Sequence, residues 1–76
     1  MSRPVELYAA PGCPHCGEAR EDLEWRGIPF VEYDVEKDVE ARERMLRLTG
    51  GQRMVPVIVE EGEPVRIGWM GRGCAI

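Results

Sequence analysis

The chain has 76 residues, of which 43% are hydrophobic and 32% are charged, and its formal net charge is −4. This length suits one small domain over residues 1–76, and the composition is typical of a globular protein. The acidic balance and the scattered arginines argue against nucleic-acid binding, because counterion release would contribute little. No stretch reaches the ~20 apolar residues of a membrane span, and no secretory signal is recognisable, so we expect a cytoplasmic monomer without a membrane partner.

The hydrophobic pattern predicts the element order β-α-β-α-β-β. Strands are expected over 5–8, 30–35, 55–59 and 64–67, and helices over 14–26 and 37–49. The first helix has Cys16, Ala19 and Leu23 at helical spacing on one face, and the second has Val39, Arg42, Leu46 and Thr49, with Met45 and Leu48 beside them. The glycine-rich stretch 68–73 is not expected to form a helix.

The stretch Cys13-Pro14-His15-Cys16 holds two thiols three positions apart, between the first strand and the first helix. A dithiol site needs one thiolate that attacks a disulfide and a second thiol that resolves the mixed disulfide. Cys13 would lie at the helix N-cap, where the helix dipole stabilises a thiolate, and Cys16 would lie one turn further in. We therefore predict that Cys13 attacks and Cys16 resolves, with His15 at most modulating the potential.

Other uses of a cysteine pair are weighed against this prediction. A structural zinc site needs four ligands, and His15 and Cys74 are the remaining soft ligands, with His15 poorly placed for simultaneous coordination. Haem attachment requires histidine directly after the second cysteine, where Gly17 stands. Two buried structural thiols are the third alternative. Redox chemistry is favoured over all three, and no metal site is expected.

Three stretches together resemble the glutaredoxin family of the thioredoxin-like superfamily: Tyr8 to Cys16, Thr49 to Pro56, and Ile67 to Trp69. The resemblance implies an α/β fold with a four-stranded mixed sheet of order 2-1-3-4, in which only strand four is antiparallel to its neighbour in the hairpin sense, and a terminal helix that is shortened or absent. It also implies a cis Val55–Pro56 peptide that faces the cysteine pair. A peptide bond of this kind exposes main-chain groups that can pair with an extended ligand.

The same resemblance implies a dithiol thiol–disulfide oxidoreductase that reduces protein or glutathione mixed disulfides in cell redox homeostasis. No tightly bound cofactor is expected, glutathione is a candidate cosubstrate, and glutathione or a thioredoxin-reductase-type protein is the expected reductant. The Gly68-Trp69 pair is similar to the glutaredoxin-like hydrogen donors of ribonucleotide reductase. The alternatives are an iron–sulfur cluster or metal carrier that uses the same cysteines, and a non-enzymatic binding module that uses the cleft only for peptide contact.

The resemblance extends to a set of expected substrate-binding residues, and several of these depart from the family pattern. Met54 stands where threonine is usual, Trp69 replaces a second glycine, and Ala9 and Ala10 stand where many members have a lysine. Dithiol chemistry therefore follows from the resemblance more directly than a glutathione pocket does. The expected set is Pro14, Arg53, Met54, Val55, Pro56, Gly68 and Trp69.

Three side chains near the site have two interpretations each. Arg53 either pairs with a substrate carboxylate, as its guanidinium fork would suit, or is a solvated loop residue. Trp69 is either a platform for substrate or a cover over the core, and we prefer the cover. Cys74, in a flexible tail, is either a bystander, which we prefer, or the source of an intermolecular disulfide.

Overall fold

Two helices and six short strands make up the structure, a computed structural model that describes residues 3–76. The predicted domain span also includes Met1 and Ser2, which lie outside the described residues. In chain order the elements are β1 (Val5–Ala9), α1 (Pro14–Trp25), β2 (Phe30–Asp34), α2 (Val39–Thr49), β3 (Met54–Val55), β4 (Val57–Val59), β5 (Arg66–Ile67) and β6 (Cys74–Ala75).

The main sheet has four strands in the order β2-β1-β4-β5. β4 is the predicted third strand after its interruption at Pro56, and β5 is the predicted fourth, so the 2-1-3-4 order is confirmed. Strand β1 runs parallel to β2, with Tyr8 opposite Tyr33, and antiparallel to β4, with Tyr8 opposite Val57. Strand four (β5) pairs with strand three (β4) as an antiparallel hairpin, as the resemblance implied, whereas the antiparallel pairing of β4 with β1 joins strands that are not consecutive in the chain.

The direction of β4 follows from where α2 begins and ends. β2 finishes at Asp34, which lies opposite Ala9 at the carboxyl end of β1. β4 starts at Val57, opposite Tyr8 near that same end. Helix α2 therefore returns the chain to the end of the sheet from which it left, so the next strand runs the other way. Hydrophobic spacing predicts a helix but not the direction in which it crosses a sheet.

The core forms around β1, whose Leu7 and Tyr8 side chains are fully buried. The predicted inner face of α1, formed by Cys16, Ala19 and Leu23, is confirmed as buried. A mostly apolar strand such as β1 can be covered on both sides when helices pack over the sheet.

Helix α2 buries a face that agrees with the predicted one at Met45 and Thr49 and differs from it at Val39 and Leu48. Its buried residues are Ala41, Met45 and Thr49, whereas Val39 is 51% exposed and Leu48 is 42% exposed. Ala41 is fully buried, and its small side chain allows the helix to lie close to the sheet. A pattern that ranks residues by hydrophobicity favours Val39 over Ala41, and the predicted face was therefore wrong in part.

Capping residues define both ends of α2. The Asp38 carboxylate accepts a hydrogen bond from the Ala41 N–H at 3.0 Å, as a helix N-cap residue does. Gly50 ends the helix in the left-handed conformation, with φ of 71°.

Within α2, Arg44 Nε donates to the Tyr8 hydroxyl at 2.7 Å, which ties the helix to the central strand. Neither helix in the described part of the chain is long and apolar enough to cross a membrane.

The C-terminal segment contains a strand that the hydrophobic pattern did not predict. Residues 68–73 are not helical, as expected, and Trp69 and Arg72 form an isolated antiparallel bridge. The chain then enters β6, which pairs antiparallel with β3 in a separate two-stranded sheet. The tail is therefore part of the fold.

The buried face of α2 can be tested with two truncations on the same helix. We expect Met45→Ala to lower the free energy of unfolding by about 2–4 kcal/mol, because it leaves a cavity under the helix. Leu48→Ala, at an exposed position, should cost less than about 1 kcal/mol. Urea unfolding followed by circular dichroism measures both, and equal losses would contradict the observed orientation of α2.

Candidate active site

Cys13 is the N-cap residue of α1, as predicted, with φ of −89° and ψ of 112°. Its main-chain oxygen accepts hydrogen bonds from the N–H groups of Cys16 at 3.2 Å and of Gly17 at 3.4 Å. The first turn of α1 contains no acidic residue, so no carboxylate there offsets the positive end of the helix dipole. This position favours negative charge on the Cys13 sulfur.

Local sequence accounts for the sharp entry into α1. Gly12 has φ of 78°, a conformation that glycine adopts without a steric penalty, and it turns the chain after Pro11. Pro14 occupies the first helical turn, where its missing N–H has no intrahelical partner to lose. Pro14 is exposed on this turn. Gly12 and Pro14, which flank Cys13, therefore place it at the N-terminus of α1.

Cys13 is joined by a disulfide bond to Cys74, 61 positions further along the chain, with the two Cα atoms 6.1 Å apart. That separation lies within the ordinary range for disulfides. The expectation that Cys74 is a bystander in a flexible tail is therefore wrong. Cys74 belongs to β6 and is covalently bonded to Cys13, the predicted nucleophile. The pairing of Cys13 with Cys16 in the reaction product stays a prediction.

Cys16 is the free cysteine of the structure, and its side chain is only 1% exposed. Burial raises the pKa of the Cys16 thiol above its ordinary value, and the Glu32 carboxylate adds to the increase. A main-chain hydrogen bond from Ala10 and the charge of Arg20 act in the opposite direction. Arg20 in turn donates to Glu32 at 2.6 and 2.8 Å. At neutral pH the Cys16 thiol is therefore protonated.

Strand β3 and the Pro56 residue that follows it lie beside Cys74. The Val55–Pro56 peptide is cis, as the resemblance implied, and both residues are buried. Val55 lies opposite Cys74 in the register between β3 and β6. The Pro56 oxygen accepts a hydrogen bond from the Gly68 N–H at 2.7 Å. The structure therefore brings Val55, Pro56 and Gly68 together with the Cys13–Cys74 bond.

Gly68 has a structural reason to be glycine. Its φ is 86°, and a Cβ atom there would lie 2.8 Å from the Arg72 main-chain oxygen. Trp69 follows it, with its N–H donating to that same oxygen at 2.6 Å. The turn between β5 and β6 is therefore too tight for a larger residue at this position.

Trp69 is half-buried and packs against the hydrophobic core, so the preferred interpretation as a cover is confirmed. Trp69 also lines an open cleft of about 210 Å³, together with His15, Glu18, Met70 and Arg72.

Arg53 and Met54 are exposed, and Met54 is 39% exposed. Arg53 Nε donates to the main-chain oxygen of Ile76 at 3.2 Å, and the Ile76 N–H donates back to the Arg53 oxygen at 2.9 Å. Arg53 is therefore engaged with the tail and is not a fully solvated loop residue.

Two sizeable cavities lie away from the cysteines, and one of them, of about 440 Å³, is lined by Glu60, Glu63, Pro64 and Arg66. The other, of about 350 Å³, is lined by residues that include Arg3, Glu6 and Val59, and none of the three cysteines lines it. Among residues 3–76, no group of three or more histidine, cysteine or acidic side chains is arranged to hold a metal ion. The site that stands out chemically is therefore the thiol pair at α1 with the strand bearing Cys74.

Comparison with known proteins agrees with this architecture. A probable glutaredoxin of Synechocystis sp. is 41% identical over 54 residues, which are 71% of this chain and 50% of that protein. A glutaredoxin-like 8.6 kDa protein in the rubredoxin operon of Clostridium pasteurianum is 38% identical over 58 residues, 76% of each chain. The chain thus spans about half the length of the Synechocystis relative and most of the Clostridium one.

Structural comparison gives the same result for the fold. The crystal structure of the thioredoxin-like protein BC3987 superposes with a TM-score of 0.78 at 33% identity, covering 87% of this chain and 88% of that one. The fold is therefore thioredoxin-like. The glutaredoxin family model matches residues 5–65, from the first residue of β1 to the residue before β5. This match covers most of the chain, and the chain belongs to the glutaredoxin family.

Proposed function

We propose that the chain is a dithiol thiol–disulfide oxidoreductase of the cytoplasm, which reduces protein disulfides and mixed disulfides with glutathione in redox homeostasis. The observation that carries this proposal is the bond of Cys13 to a cysteine on an extended strand. That strand runs antiparallel to β3, with Val55 opposite the bonded cysteine. A substrate peptide joined to Cys13 would need the same arrangement of a sulfur and a paired main chain.

The reaction cycle has two exchange steps. The Cys13 thiolate attacks one sulfur of the substrate disulfide, a new bond to Cys13 forms, and the other substrate sulfur leaves as a thiolate that takes a proton. A second thiol of the chain, Cys16 in the simplest cycle, then attacks the Cys13 sulfur and releases the remaining substrate thiol. The substrate gains two electrons and two protons, and the chain is left with a disulfide.

An external thiol resets the enzyme. Two molecules of glutathione, or one dithiol of a thioredoxin-reductase-type protein, would reduce the chain disulfide and become oxidised themselves. Because this step needs a pool of reduced thiols, we propose the cytoplasm as the setting. The family match supports glutathione as cosubstrate. Met54 and Trp69 depart from the family pattern, and these departures support a thioredoxin-reductase-type protein as the alternative reductant.

Two coupled assays test the proposed reaction. One supplies glutathione with its reductase and a glutathione mixed disulfide, and the other supplies thioredoxin reductase with a protein disulfide. We expect turnover in at least one assay and a loss of at least about 100-fold in Cys13→Ser, because the hydroxyl is a far weaker nucleophile than the thiolate. Leu48→Ala, on the exposed side of α2, is the control and should keep full activity. Retention of activity in Cys13→Ser would overturn the proposal.

A titration tests the protonation state of Cys16. When Cys13 is bonded to Cys74, as in the structure, Cys16 is the thiol that titrates. We expect the thiolate absorbance near 240 nm to appear at a pH above the ~8.5 of an ordinary cysteine, because burial disfavours the charged form. Cys16→Ala should lack this step and serves as the baseline. A midpoint at or below ~8.5 would contradict the assigned environment.

A further inference from the structure

The segment after β5 is attached to the rest of the fold at both of its ends. At one end the Gly68 N–H donates to the Pro56 oxygen at 2.7 Å. At the other end the Ile76 N–H donates to the Arg53 oxygen at 2.9 Å. Between these points β6 pairs with β3. Cys74 therefore reaches Cys13 as part of an ordered strand.

Gly73 allows this strand to lie close to β3. A Cβ atom at position 73 would lie 2.7 Å from Met54 Cγ and 2.7 Å from the Val55 oxygen. Such distances are not tolerated, so any larger residue would push the strand away. Glycine at this position brings the neighbouring Cys74 into register with Val55.

The two thiols that could react with Cys13 differ in access. Cys16 is 1% exposed inside the core, and burial holds its thiol in the protonated form. Cys74 is half-buried on a strand at the surface and is already bonded to Cys13. Thiol–disulfide exchange requires both a thiolate and access to the sulfur that is attacked. Cys74 meets the access requirement better than Cys16 does.

We infer that Cys74 is a second resolving cysteine, delivered to Cys13 by the pairing of β6 with β3. The inference rests on the proposed function, because it concerns the second step of that reaction. Cys74 thiolate attacks the Cys13 sulfur of the mixed disulfide, the bond between Cys13 and the substrate breaks, and the substrate sulfur leaves with the electron pair and is protonated. The product is the Cys13–Cys74 disulfide, which glutathione or a reductase dithiol then reduces.

This route couples resolution to product release. The β6 strand occupies the edge of β3 along which an extended substrate would pair. A substrate must therefore displace β6 to bind. When β6 returns to β3, it displaces the substrate main chain while Cys74 attacks the disulfide bond between Cys13 and the substrate. Resolution by the buried Cys16 would leave the substrate main chain in place.

A single-turnover experiment with the reduced, full chain separates the two resolving thiols. The chromogenic disulfide dithiobis(nitrobenzoate) releases one coloured thiolate when Cys13 attacks and a second when the mixed disulfide is resolved. We expect Cys16→Ser to release two coloured thiolates, with a second rate within about tenfold of the unmodified chain. Cys74→Ser should slow the second release by at least about tenfold, and the Cys16→Ser, Cys74→Ser double variant should stop after the first. A Cys13→Ser, Cys16→Ser variant gives the direct rate of the reagent with Cys74.

The bond formed is identified by digestion of the oxidised chain. Trypsin cleaves after Arg72 and Arg20, so a Cys13–Cys74 bond joins the peptide that starts at Gly73 to the peptide that ends at Arg20. Fragmentation in the mass spectrometer then distinguishes Cys13 from Cys16 in the longer peptide. We expect the cross-linked pair with Cys16 free. A released Gly73 peptide, with Cys13 bonded to Cys16, would overturn the inference.

Delivery by strand pairing has its own test, in the Cys16→Ser background. Gly73→Ala keeps all reacting thiols but separates β6 from β3, and we expect it to slow the second release roughly tenfold. Gly17→Ala is the matched control, because a Cβ atom at position 17 meets nothing within 4 Å. Equal rates in the two variants would overturn the role of pairing.

The failure of this inference can be told from the failure of the proposed function. A fast first release that depends on Cys13, followed by no second release in Cys16→Ser, overturns the role of Cys74 alone. A first release that is unaffected by Cys13→Ser overturns the proposed function itself.

Discussion

The central position of β1 between β2 and β4 is the constraint on which the site depends. Tyr8 pairs with Tyr33 on one side and with Val57 on the other, so both neighbours are held in register near one end of the strand. The chain leaves β1 at that end and passes directly into the loop that carries Cys13. Pro56 directly precedes β4 at the same end. The thiol and the proline therefore lie near each other because one strand pairs with both of its neighbours.

The local features of the site could be predicted from the sequence. Pro14 favours the first turn of a helix and Gly12 favours a turn before it, so the N-cap position of Cys13 follows from its immediate neighbours. The inner face of α1 follows from the spacing of Cys16, Ala19 and Leu23. The cis conformation of Val55–Pro56 followed from the family resemblance, because nothing in the local sequence distinguishes it from an ordinary trans peptide.

Features that depend on distant parts of the chain could not be predicted in this way. The antiparallel course of β4 depends on how α2 crosses the sheet, and the buried face of α2 depends on how closely Ala41 approaches that sheet. The pairing of β6 with β3 joins residues about twenty positions apart through only two register pairs, Met54 with Ala75 and Val55 with Cys74. A two-residue strand after a glycine-rich stretch has too little pattern to be recognised. The third cysteine, Cys74, was the sequence feature that could have indicated this pairing.

The Cys13–Cys74 bond also makes most of the chain a closed ring. It links positions 61 apart, and the ring contains both helices and the strands β2 to β5. In the chain-entropy view, closing a loop of this size removes enough freedom from the unfolded chain to stabilise the fold by about 4 kcal/mol. A small domain has a total stability of only about 5–15 kcal/mol. The domain therefore resists unfolding more strongly when Cys13 and Cys74 are bonded than when both thiols are reduced.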